Sequence, residues 1–187
     1  CNSGRNTHND LNCIKGVIDD KDILDVKRTM LCRLFAILCS CLIFLYPLDC
    51  SWGAMDYAKQ VLIGSDFSHR DLRGVTFNLA NLLKADLSGS DLQGASLFGA
   101  KLQEANMSDT NLTDATLDSA ILEGTNLTNA VLEDAFAFNA RFKDVIIDGA
   151  DFTNVPLRAD EISSLCASAK GVNPITGRNT KDTLGCN

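Results

Sequence analysis

The sequence predicts an all-β solenoid, a chain wound into stacked coils. Three observations carry that prediction. A large apolar residue falls at every fifth position, a small residue stands two places before it, and Ser, Gly, Asp, Thr and Asn fill the intervals. At this spacing the chain reads Phe67, Leu72, Phe77, Leu82, Leu87, Leu92, Leu97, Leu102, Met107, Leu112, Leu117, Leu122, Leu127, Leu132, Phe142, Ile147, Phe152 and Leu157, broken only by Ala137.

A continuous helix cannot give this pattern. Five residues advance about 500°, a net rotation of about 140°, so successive leucines would circle the axis. A continuous strand fails as well, because an odd spacing sends alternate leucines to opposite faces. The period is kept only by a chain that turns once per repeat. Ala80, Ala85, Ala95, Ala100, Ala105, Ala115, Ala120, Ala130, Ala135, Ala140 and Ala150 each lie two residues before a centre. In extended backbone that spacing points both side chains the same way, inward. Asp or Asn often stands between them, as at Asp86, Asp91, Asn106, Asn111, Asn126 and Asp151, and the two residues that follow are types that accept tight turns. With turns of about 90°, four repeats close one coil, and the next coil stacks about 4.8 Å further along through backbone hydrogen bonds. One coil alone would not be stable; stacking on its neighbours supplies the surplus.

The units ADLSG, SDLQG, ANMSD, TNLTD and TNLTN resemble the A-[D/N]-L-x-x unit of the pentapeptide-repeat proteins. The resemblance covers about half the chain, residues 65–158, and implies a right-handed quadrilateral β-helix. At twenty residues per coil this segment makes about 4.5 coils, roughly 22 Å long.

Residues 1–53 are of a different kind. KRTMLCRLFAILCSCLIFLYPLDCSWG has a basic start (Lys27, Arg28, Arg33), an apolar run from Leu34 to Leu48, and small residues at Ser51 and Gly53. That is the layout of an export signal cleaved after Gly53. About 25 residues precede it, which suggests a two-part address, through a chloroplast envelope and then across the thylakoid membrane. The alternative is an uncleaved anchor, since 31–48 falls just short of a span. The segment 54–64 keeps Tyr57 and Leu62 in phase, and it begins or covers the first coil.

Beyond Leu157 the rhythm stops. RADEISSLCASAKG reads as a helix, with Ile162, Leu165, Cys166 and Ala169 on one face and Gly171 as its stop. A short helix near Thr180 to Leu184 completes a small helical cap over 159–187, where a bare solenoid end needs a cover. Six of the eight cysteines lie in 1–50; the others are Cys166 and Cys186. These two form either a disulfide that stabilises the lid or two buried free thiols, and neither has a partner at zinc spacing. The stretches MDYAKQVLIGSDF, FNARF, ADFTNVPLR and LCASAKGVNPITGRNT are similar to the thylakoid-lumenal pentapeptide-repeat proteins of plants and their cyanobacterial relatives. That resemblance implies a cap closed by a disulfide, for which this chain offers Cys166 and Cys186, and residence in the thylakoid lumen.

No catalytic, cofactor or metal constellation is read from the sequence. His69 is a turn residue. GASLFGAK imitates a phosphate loop without its Gly-Lys-Ser/Thr ending, and the aspartates recur without an acid–base partner set. Function therefore falls to the outer surface. One face carries Asp71, Asp91, Asp114, Glu133, Asp134 and Asp151 against Arg73 alone, an array that serves solubility or binding. A second mixes Lys84, Lys101, Arg141 and Lys143 with Glu104, Glu123 and Asp144. A third puts Phe98 and Phe138 in one outward column with Phe136 beside them. Clustered exposed rings mark a contact site, unless the weak centre Ala137 lets one of them turn inward.

The chain thus reads as a non-enzymatic structural or protein-interaction module. Its partner is an unidentified lumenal or thylakoid-membrane protein, with no nucleic acid and no membrane span in the mature form. The alternative, drawn from bacterial pentapeptide-repeat proteins, is a DNA mimic that binds topoisomerase, to which the formal charge of −7 is suited. Export away from DNA argues against it. A further alternative is a redox response through Cys166 and Cys186.

Overall fold

The computed structural model describes residues 55–186. The export signal, its cleavage and the anchor alternative fall on residues 1–53 and lie outside the described residues.

From Asp56 to Asp151 one five-residue unit recurs, and parallel bridges join residue n to residue n + 20 at every repeat, from Asp56↔Thr76 to Val131↔Asp151. Each bridge residue turns both of its backbone groups toward the preceding coil. Asn106 N donates to Ala85 O (2.9 Å), and Asn106 O accepts from Leu87 N (2.7 Å). The chain then turns, and at most centres the amide three residues on closes on the centre's carbonyl, as Ala95 N does on Leu92 O (2.9 Å). The third residue of this turn has positive φ, which is 64° at Gly94, 57° at Asp109 and 58° at Asn129. Gly, Asn and Asp recur there because they tolerate that backbone best.

Where Asp or Asn stands before a centre, its side chain holds the turn from outside. Asp86 Oδ1 accepts from Ser88 N (3.0 Å) and Ser88 Oγ (2.6 Å). Asn106 Nδ2 donates to Asp86 Oδ1 (3.2 Å) and Asn126 Nδ2 to Asn106 Oδ1 (3.2 Å), so the side chains ladder from coil to coil. The Ser88 hydroxyl and amide hold the Asp86 carboxyl below the usual carboxylate range.

Inside, the centres from Leu82 to Leu132 and the alanines before them make a solvent-free column. Its ends are aromatic. Tyr57, Phe67 and Phe77 form a cluster with ring centroids 5.1–5.5 Å apart, and Phe142 meets Phe152 edge-on at 6.1 Å. Ala137 occupies its centre position fully buried. The bridge pattern is already present at Asp56 and Val61, so 56–64 is backbone of the first coil. Leu157 lies past the last bridge and is only half-buried against the core.

Helix α1 (Ala159–Ser168) follows, with Leu165 buried, and α2 (Thr180–Leu184) ends the described chain. Helix α1 stops at Ala169, before the expected Gly171. Gly171 has a different duty. Its φ is 86°, and a Cβ there would stand 2.8 Å from Gly149 N, so the missing side chain lets the lid backbone touch the last coil. Cys166 and Cys186 form a disulfide that ties α1 to the residue beyond α2.

Asn173 and Arg178 are the side chains that reach furthest into the coils from this lid, beside Thr183 Oγ1, which accepts from Phe152 N (3.1 Å), and Lys170, paired with Asp148 (3.2 Å). Asn173 is 1% exposed, and its Nδ2 donates to Gly149 O (2.9 Å), Asn129 O (3.1 Å) and Ala130 O (3.4 Å). Its Oδ1 accepts from Ile175 N (2.9 Å) and Thr176 N (3.0 Å). Arg178 reaches back to the coils, with Nη1 on Asp151 Oδ2 (3.0 Å) and Nη2 on Glu133 Oε1 (3.0 Å). Burial alone would push the Asp151 carboxyl up. The Thr153 and Thr176 hydroxyls, the Thr153 amide and the Arg178 guanidinium outweigh it and hold the group below its ordinary value.

Three outcomes are expected. Leu112→Ala destabilises the fold by about 2–5 kcal/mol in urea unfolding, through lost burial and an unfilled cavity. Asn173→Ala costs about 1–3 kcal/mol, because buried carbonyls lose their donor. Since the folded-state value of Asp151 is depressed, its stabilisation is present above pH 3.8 and is lost as the pH falls through that lowered value. Urea midpoints measured from pH 7 downward test this, and Arg178→Met narrows the acid-sensitive loss.

Candidate interaction face

The outward positions of each repeat are the bridge residue and the two turn residues, and the 20-residue offset stacks like positions into columns. The four faces differ in what those columns carry.

The acidic face is less open than its sequence suggests. Asp71 and Arg73 form a bidentate pair (2.7 and 2.8 Å), which holds the Asp71 carboxyl at about 2. Asp151 is fully buried, a correction to its place among exposed acids: the lid covers it, and Arg178 neutralises it. Glu133 is half-covered by the same guanidinium. Asp114 and Asp134 remain exposed and Asp91 half-buried, and Asn154 Nδ2 donates to Asp134 Oδ1 (3.0 Å). The signal missed was Arg178, far along the chain from the acids it meets.

On the mixed face, Lys84 pairs with Glu104 (3.4 Å) and Arg141 with Glu123 (2.7 Å) across coils. Such solvated pairs contribute little individually. A third face is the Asp and Asn ladder through Asp86, Asn106 and Asn126, whose Oδ1 atoms are occupied by neighbouring amides and hydroxyls.

The remaining face is apolar. Phe98, Phe136 and Phe138 are 43%, 63% and 54% exposed, so none of the rings turns inward beside Ala137. Leu79, at a turn position, is 51% exposed on the same face and lies over Gly99. It holds a left-handed φ of 58°, unfavourable for a bulky residue. From Thr76 to Asn139 the outward positions of this face include one charge, Asp118.

The backbone is irregular at the same place. Elsewhere a turn amide donates to the next coil, as Leu79 N does to Phe98 O (2.8 Å), but Ser119 makes no such bond to Phe138. Asp118 Oδ1 instead accepts from Asn139 N (3.0 Å) and Nδ2 (3.1 Å), and Asn139 is not left-handed as its counterparts are. Asn78 braces Phe98 in a similar way, accepting from Phe98 N (3.1 Å) and Ser96 Oγ (2.6 Å). His69 is an exposed turn residue stacked over Gly89. Among the described residues no group of three His, Cys, Asp or Glu is placed to hold a metal ion, and no helix is long and apolar enough to cross a membrane.

Comparison with known proteins agrees with this architecture. The family model "Pentapeptide repeats" matches residues 61–97 and 95–134. The thylakoid lumenal 15 kDa protein 1 of Arabidopsis thaliana chloroplasts is 57% identical over 49 residues, which are 26% of this chain and 22% of that protein. The crystal structure of a pentapeptide repeat protein from the Arabidopsis thaliana thylakoid lumen aligns at 41% identity and a TM-score of 0.53, over 72% of this chain and 86% of that one. A pentapeptide repeat protein of the cyanobacterium Cyanothece aligns at 23% identity and a TM-score of 0.45, over 51% and 61% of the two chains. The lumenal address expected from the sequence is the address of both Arabidopsis relatives. With its repeats matched and most of a lumenal relative covered, the chain belongs to the pentapeptide-repeat family and takes that family's right-handed β-helical fold.

Proposed function

We propose that the chain is a non-enzymatic protein-interaction module of the thylakoid lumen, and that it binds through the face carrying Phe98, Phe136 and Phe138. One observation carries this reading: the repeat at 135–139 is inverted. Its inward centre is the small Ala137, and its outward neighbours are the large Phe136 and Phe138. The fold needs the opposite arrangement, so the inversion trades core volume for exposed rings. Phe98 sits two coils back in the column of Phe138, and Leu79 extends the apolar surface. A clustered aromatic surface with a single charge is the composition of a binding-site centre.

The partner is a lumenal or thylakoid-membrane protein. The DNA-mimicking alternative loses support, because Asp151 and Glu133 are spent on the lid and Asp71 on Arg73. Affinity capture from thylakoid extract with the full chain, compared with its Phe98→Ser/Phe138→Ser variant, tests the reading. The expected result is loss of one or a few partners from the variant, with the melting curve unchanged since both rings are surface residues. Identical partner sets from both baits would end it.

A further inference from the structure

Resting on that reading, we infer that the aromatic face receives a proline-rich segment in the polyproline II conformation, lying along the solenoid axis with prolines three residues apart seated on Phe98 and Phe138. Spacing is the first argument. Phe98 and Phe138 occupy one column with Asp118 between them, and at the ordinary coil spacing two coils set their attachment points about 9.6 Å apart. A polyproline II helix has three residues per turn at about 3.1 Å each, which brings residues i and i + 3 to the same face about 9.3 Å apart. Other peptide conformations match less well. A strand repeats its face about every 6.8 Å. A helix returns to one face at about 10.5 Å, after seven residues, and places intervening side chains against the middle coil.

Hydrogen bonding is the second argument. Backbone groups along this face are largely spent between coils, Leu97 N on Thr116 O (2.7 Å) and Leu117 N on Phe136 O (2.6 Å) among them. Addition of a strand, which needs a free edge, is therefore disfavoured. A polyproline II segment has no internal hydrogen bonds to satisfy and docks by ring contacts on aromatic grooves. The charge pattern is the third. Asp118 lies between the two rings, and it enters none of the ion pairs among the described residues. Its Oδ1 is taken by Asn139, and its Oδ2, with only a long contact from Ser119 Oγ (3.4 Å), is the oxygen left to meet a Lys or Arg carried between the two prolines. The occupant is thus a Pro-x-x-Pro segment with a basic residue in the interval.

Fluorescence anisotropy with the full chain and a labelled peptide of two Pro-x-x-Pro frames, each enclosing an arginine, tests the inference. The control peptide has the same composition with no prolines three apart. Binding of the first peptide is expected, with the control about tenfold weaker or more. Phe98→Ser and Phe138→Ser should each weaken binding by about tenfold, as loss of an aromatic anchor does. Asp118→Asn should weaken it by roughly threefold at low salt, with the difference fading as ionic strength rises. Equal affinity for the control peptide would overturn the inference, and so would preference for an amphipathic helical peptide at the same face. Absence of peptide binding while partner capture still depends on Phe98 and Phe138 would remove the polyproline claim and leave the interaction face standing. Capture independent of both rings would remove the broader reading itself.

Discussion

Backbone pairing between residue n and residue n + 20 is the constraint on which the rest of this structure depends. It requires every coil to have the same length, so each side must turn after the same number of residues. The turn requires a residue that accepts positive φ and an inward position that stacks on its equivalent, and in many repeats a carboxylate or amide at the bridge position also accepts the turn amide. Leucine meets the last demand because one coil spacing separates successive side chains, and alanine two places earlier leaves the room they need. Asp86, Asn106 and Asn126 show how one residue serves two ends: each fastens its own turn and meets its neighbour in the adjacent coil.

Such a design separates inside from outside. The interior is nearly uniform from Leu82 to Leu132, and the bridge and turn positions are left free to vary. That freedom produces four surfaces of different character on one rigid body: a ladder of amides, a mixed-charge wall, a partly covered acidic wall and an apolar strip. Aromatic clusters close the column at its two ends.

The repeat was legible in the sequence because its cause is local: five residues contain the whole instruction, repeated with the same phase. Coil register followed, and with it the shared column of Phe98 and Phe138. What escaped has long-range causes. Asn173 acts on carbonyls 24 to 44 residues away, and nothing around it in the sequence distinguishes it from an ordinary turn asparagine. Arg178 lies 45 residues from Glu133, so the acids at 133 and 151 read as a free surface although one guanidinium gathers both. Leu79 stands at a turn position, where a bulky residue is unexpected, so its part in the apolar strip has no local signal. Gly171 invited a reading as a helix stop, when its use is the close approach of two backbones.

The lid has a consequence beyond holding the last coil in place. A parallel coil can in principle be continued without limit, because its final carbonyls and amides present the same pattern that the previous coil has just bonded. They are a template for fibre growth, on which another molecule could add itself. Lys170 O, accepting from Gly149 N (2.8 Å), and Asn173 Nδ2, donating to Gly149 O (2.9 Å), occupy one corner of that template from within the same chain. At that corner the lid stands where a further coil would have to pair, and one buried amide takes the place of an incoming strand.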